Sequence, residues 1–393
     1  MFDRLRQWWR GRPVAPMEAA PQPMPGRMRG HVDHVILLDG TFSSLAPGME
    51  TNIGKIFRLL AEPGRHARLR LYYEPGSQWE GWRHGWDIIQ GRGLDSQIMR
   101  AYGWLASHYR PGDRIFLMGY SRGAYAVRSM GGVIDRVGLL KQTQATERQV
   151  ALTYRHYRTD PDSPTARAFA AAYCLAGAPI QMIGAFDTVK SLGLHLPLFW
   201  LLFTDKTAFH SHQLGPSIQH GFQALALDET RRAFAPVLWE CPPDRQGQVE
   251  QMWFRGAHGD IGGQIGDMAE ARPLANIPLV WMLDRAETVG LPLPAQWRDR
   301  FPTDVTAPMV GTTRAWGKFF LLRRRRKVGL DLSEHLHPSL AGLRGQKRGF
   351  WAFQTLSKNV AWVSRWFVMG SGNLRRKTAV KPPTLSPRAS PKD

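Results

Sequence analysis

At 393 residues with 43% hydrophobic content, the chain is long enough to bury a sizeable core. Its net charge of +20 suits an anionic partner surface, either a membrane or a nucleic acid, or else a solvated positive surface that only aids solubility. Two cysteines, Cys174 and Cys241, exclude a disulfide framework, match no metal-ligand spacing and favour folding in a reducing compartment.

In chain order, residues 1–30 read as a basic leader in which Arg4, Arg6, Arg10 and Arg12 surround Trp8 and Trp9. It lacks the continuous apolar core of a secretory signal and has the composition of a short helix lying in a membrane interface. A catalytic domain is expected over 31–300. It opens with HVILL at 34–38, an apolar run suited to a buried central strand, and Asp39-Gly40-Thr41 forms the turn after it. Ile53, Ile56, Phe57 and Leu60 recur at helical spacing beyond Thr51. Helices are expected over 94–108, 124–137, 147–157, 165–173 and 273–289, and strands at 115–118, 179–186 and 249–254. The segment 192–203, rich in Leu, Phe and Trp, is too short to span a membrane. It reads either as part of a lid or acyl groove near 190–215, or as a buried helix. A basic extension follows over 301–378, including the run Arg323 to Lys327, and the Pro-rich end at 379–393 is expected to be disordered.

The strand at 115–118 runs straight into Gly119-Tyr120-Ser121-Arg122-Gly123 and then a helix, the setting of a nucleophile elbow. Gly119 and Gly123 let neighbouring chain pass the tight turn, so that the Ser121 hydroxyl is presented at the sheet edge. Asp187 and His258 each follow a later apolar strand, in the order Ser, acid, base that this fold uses. Taken singly, Asp187 could instead cap a helix and His258 could be a structural turn residue. His335 and His337 are rival bases, but no clear strand precedes them. Oxyanion donors are expected from the Arg122 N–H and from Gly40 or Thr41, with the Asp39 carboxylate holding that loop or simply forming an Asx turn. His195, His210, His212 and His220 fit no zinc spacing.

Four blocks carry a resemblance: LDGTF at 38–42, GYSRGA at 119–124, GAFDTVKSLG at 184–193 and WFRGAHGDIGG at 253–263. With a fifth, at 220–239, they resemble the α/β-hydrolase family typified by the catalytic domain of type VI secretion phospholipase effectors, over about 31–290. The resemblance implies an α/β-hydrolase-like fold, a mostly parallel sheet with helices on both faces. It also implies hydrolysis of carboxylic esters, phospholipids being the best-known substrates, with no organic cofactor. Residue by residue, Ser121 carries over as nucleophile, Asp187 as triad acid and His258 as base, with Asp260 in a supporting place in the last block. Phe42-Ser43 stands where the family usually has Trp-Asn, and Lys190 and Arg255 replace smaller or apolar residues. These departures bear on substrate range.

Basic residues beside tryptophan and leucine favour an anionic membrane over nucleic acid, for which no motif is present. The expected location is the cytoplasm, with peripheral membrane association. An effector would be exported without a cleavable signal, alongside a secretion or immunity partner the sequence does not identify. Two readings compete with the serine hydrolase. One is a catalytically idle hydrolase-fold module that binds anionic membranes or a protein partner. The other is a metal hydrolase built on Asp39, His258 and Asp260.

Overall fold

The computed structural model describes residues 30–62, 68–76, 92–189, 213–242, 248–313 and 322–343. The leader at 1–29, the expected lid over 190–212 with Lys190, and the tail at 379–393 lie outside the described residues.

Seven strands form one sheet in the order β2-β1-β3-β4-β5-β6-β7. They are β1 (Asp33–Leu38), β2 (Leu69–Glu74), β3 (Arg114–Tyr120), β4 (Ile180–Phe186), β5 (Gly221–Ala226), β6 (Val249–Phe254) and β7 (Glu334–Leu336). Every pairing between them is parallel. β1 is buried along its whole length, as its unbroken apolar run predicts for a strand covered on both faces.

Side chains alternate between two cores because strand residues point to opposite faces. Ile36, Leu38, Ile115 and Leu117 face one core. It is closed by α2 (Arg92–His108), α3 (Arg122–Arg136), α4 (Glu147–Thr159) and α5 (Pro164–Tyr173). Val35, Leu37, Phe116 and Met118 face the other, against α1 (Asn52–Leu60) and α7 (Arg272–Thr288). At about 1.5–3 kcal/mol for each fully buried large apolar side chain, these cores outweigh the exposed ion pairs, which contribute about 0–1 kcal/mol each.

Local signals explain the helix starts. Thr51, Thr146 and Ser163 each accept a backbone N–H with the side-chain oxygen, and Pro164 begins α5 where its missing N–H is harmless. No helix of the described residues is long and apolar enough to cross a membrane.

Residue 300 is not the end of the sheet. β7 pairs with β6, so His335 sits in a strand. Within the basic run, Arg326 is buried while Arg323, Arg324, Arg325 and Lys327 are exposed. The expected extension therefore contributes a strand and a buried cation to the same sheet.

Candidate active site

Order reverses at β1, whose neighbours β2 and β3 lie on either side, and open α/β sheets bind ligands at the carboxyl ends of the strands beside such a reversal. Ser121 stands there, between β3 and α3. Its backbone adopts φ 57°, ψ −117°, a conformation that a residue with a side chain holds only where its surroundings impose it. The glycines make the turn possible. A Cβ on Gly119 would lie 2.4 Å from the Gly123 carbonyl oxygen, and one on Gly123 would lie 2.1 Å from that of Leu38.

The structure brings Ser121, His258 and Asp187 together. His258 Nε2 is 2.8 Å from Ser121 Oγ, and His258 Nδ1 is 2.6 Å from Asp187 Oδ2. His258 opens a short helix, α6 (His258–Gly262), straight after β6, and Asp187 follows β4 at φ 44°. All three are buried: Ser121 is 8% exposed, His258 4% and Asp187 0%. A proton on Nδ1 shared with Asp187 leaves Nε2 free to accept from the serine hydroxyl.

Asp187 also accepts from the Ala226 N–H at 3.0 Å and from both Nη atoms of Arg326, at 2.5 and 2.9 Å. Burial alone would push this carboxyl up. The Arg326 charge and the His258 hydrogen bond outweigh it and hold Asp187 well below the usual carboxylate range. Sequence reasoning missed Arg326 here, and nothing in a run of basic residues marks one of them as internal.

Other side chains pack the imidazole. The Tyr120 ring lies 4.9 Å from it and the Phe234 ring 4.9 Å on another side. Glu229 accepts the His258 N–H at 3.2 Å and pairs with Arg231, whose guanidinium lies 4.0 Å from the Phe234 ring centre. Glu229, Arg231 and Phe234 all come from the block at 220–239, whose resemblance was the one signal for them. Tyr120 also packs where a Cβ on Gly40 or Gly262 would fall, so one ring braces the early loop, the elbow and the histidine helix.

On the early loop, the Gly40 N–H is already bonded to Asp39 Oδ1 at 2.7 Å. Asp39 Oδ2 accepts from Thr51 Oγ1 at 2.6 Å and from the Tyr73 hydroxyl at 2.9 Å. Burial pushes this carboxyl up to about 6, against the pull of those donors. The N–H groups of Thr41 and Arg122 have no acceptor among the described residues. Arg122 Nε bonds Thr41 Oγ1 and ties the two loops together, and burial lowers the Arg122 guanidinium to about 10.

Asp260 lies away from the relay. Its carboxylate accepts the N–H groups of Ala257, Val310 and Gly311, fixing the histidine loop to the chain beyond residue 300. Asp39 and Asp260 are thus engaged separately, and no group of three metal-binding side chains exists among the described residues. His337 stacks on Phe254 at 4.6 Å with Nδ1 on Ser339, and burial drops it to about 4. The imidazole that meets Ser121 belongs to His258 and not to His335 or His337. Arg255 donates to the carbonyls of Val305 and Ala307. Phe42 is 53% exposed at φ 60° on the early loop.

Among curated proteins, the chain is 29% identical over 235 residues to the uncharacterized protein YEL023C of Saccharomyces cerevisiae. That match covers 53% of this chain and 33% of the relative, so the chain spans about a third of the relative's length. A solved structure of an uncharacterized protein from Pseudomonas aeruginosa overlaps it with TM-score 0.40 and 16% identity, over 70% of this chain and 49% of that one. The Tle1 effector bound to the VgrG spike of the type VI secretion system overlaps with TM-score 0.33 and 18% identity, over 62% of this chain and 54% of that one. The profile described as "T6SS, Phospholipase effector Tle1-like, catalytic domain" matches residues 33–285, well over half the chain, and the protein belongs to that family.

Proposed function

We propose that the protein is a serine hydrolase that cleaves carboxylic esters of phospholipids through an acyl-enzyme. The hydrogen-bonded series from Ser121 Oγ through His258 to Asp187, at 2.8 and 2.6 Å, on a serine held at φ 57°, carries the reading. Ser121 Oγ attacks the ester carbonyl as its proton passes to His258 Nε2. The oxyanion is met by the N–H groups of Arg122 and Thr41, beside the positive end of α3. As the tetrahedral intermediate collapses, His258 gives the proton to the leaving alcohol. A water then attacks the acyl-serine with His258 again as base, releasing the fatty acid and restoring Ser121.

Family membership supports the lipid substrate and the role of a type VI secretion effector. The exposed strip Leu322, Arg324, Lys327, Leu330 and Leu332 mixes cations with leucines and supports working on an anionic bilayer. One assay tests both parts. Wild type hydrolyses anionic phospholipid vesicles faster than zwitterionic ones, by a margin that shrinks with salt, and a fluorophosphonate labels Ser121. Ser121→Ala keeps the fold and loses turnover by about 10³-fold or more. Wild-type turnover in that variant would overturn the hydrolase. A wild type that neither turns over nor labels would leave the idle binding module.

A further inference from the structure

Arg326 belongs by sequence to an exposed basic run, yet it is 7% exposed and lies behind the carboxylate that supports His258. We propose that Arg326 is a positioning residue of the Ser121 relay, fixing the Asp187 carboxylate toward His258 Nδ1 and offsetting its charge. This deepens the hydrolase reading and rests on it for its kinetic consequences.

The geometry leaves the guanidinium little freedom. Nη1 donates to Asp187 Oδ1 at 2.5 Å and to the Ala226 carbonyl at 3.0 Å. Nη2 donates to Asp187 Oδ2 at 2.9 Å and to the Phe234 carbonyl at 2.6 Å. All four Nη hydrogens are used, two on the carboxylate and two on backbone at the end of β5 and in the turn under His258. Such a fork sets the plane of the carboxylate as well as its position, which a lysine cannot do. Oδ2 is thereby directed at His258 Nδ1, while Oδ1 is occupied by Arg326 and the Ala226 N–H.

Charge gives the second consequence. A buried Asp187 balanced only by His258 would hold a proton on the relay tightly, and a protonated relay cannot accept the serine proton. Arg326 supplies a permanent cation, so the carboxylate stays ionised. The remaining groups around the imidazole do not replace it. Glu229 and Arg231 pair with each other, and Tyr120 contributes a neutral ring with its hydroxyl toward the His258 carbonyl and Gln264. Further out, Asp228 and Asp260 accept the Gly256 and Ala257 amides, and Arg122 is held on Thr41.

The experiment compares full-length wild type, Arg326→Gln and Arg326→Lys by ester kinetics across pH and by side-chain ¹⁵N titration of His258. Arg326→Gln is expected to lower kcat roughly tenfold or more at little changed KM. The acid limb of its kcat/KM profile moves to higher pH by about half a unit or more, and the His258 ring takes up its proton at correspondingly higher pH. Arg326→Lys keeps the cation but loses the fork, so the limb returns toward wild type while kcat stays depressed. A purely structural arginine would lower the melting temperature and move neither limb nor ring titration, which overturns the proposal. If Arg326→Gln does not fold, wild-type kcat in Arg326→Lys does the same. A wild type inactive on every ester, with a ring titration that still depends on Arg326, would remove the hydrolase reading and keep the positioning role.

Discussion

Two buried carboxylates near Ser121 are pushed in opposite directions, and the cause is their partners. Asp187 meets a fixed cation and stays ionised, whereas Asp39 meets only hydroxyls and an amide and rises to about 6. A carboxyl raised above its unfolded value of about 3.8 supports folding fully below that value, and this contribution is lost as pH climbs through about 6. Asn at position 39 does not titrate. Relative to Asp39→Asn, wild type should therefore lose about 2 kcal/mol of stability between pH 4.5 and 7. Urea unfolding of both proteins at the two pH values checks this, and an equal gap at both would contradict the burial argument. Asp187 has the opposite sign: its contribution is present above the usual carboxylate range and is lost on acidification.

The elbow is an element built by close backbone approach. A Cβ on Gly123 would fall 2.1 Å from the Leu38 carbonyl oxygen, on a strand that cannot yield because it is paired on both sides. Gly123→Ala is expected to cost about 3 kcal/mol, lowering the thermal midpoint by roughly 5–10 °C, and to reduce turnover as Ser121 is displaced. Gly177→Ala, with nothing within 4 Å of the added carbon, is the control and should shift the midpoint little. Equal midpoints for the two variants would show that the turn is looser than its contacts indicate.

At the scale of the molecule, the segment beyond residue 300 completes the site. Trp253, Val328 and Leu340 form a small core of their own, Trp253 Nε1 donates to Glu334, and Glu334 collects the amides of Gly329, Leu330 and Asp331. These contacts carry Arg326 to Asp187. A chain ending at residue 313 loses β7 and Arg326 together. Its turnover should fall by about 10³-fold, with a lower melting temperature, in side-by-side assays with the full chain. Undiminished activity would mean that the family domain is complete without the segment.

Local sequence is enough for a strand built on the apolar run at 34–38, for helices capped by Thr51, Thr146 and Ser163, and for an elbow whose glycines and serine fall within five residues. It also places Ser121, Asp187 and His258 each after an apolar strand, and a parallel sheet brings those strand ends to one edge. β2, β5 and β7 are not among the expected strands: β2 mixes polar with apolar residues, β5 interrupts a short apolar run with Gln223, and β7 has three residues, so none shows a clear period. Which donor of the Gly40–Thr41 pair stays free depends on where the Asp39 carboxylate turns. Which arginine of five successive basic residues goes inside depends on a carboxylate 139 positions earlier. Both are settled by packing between distant segments, where the cost of an unpaired buried charge leaves one arrangement standing, and periodicity carries no record of it.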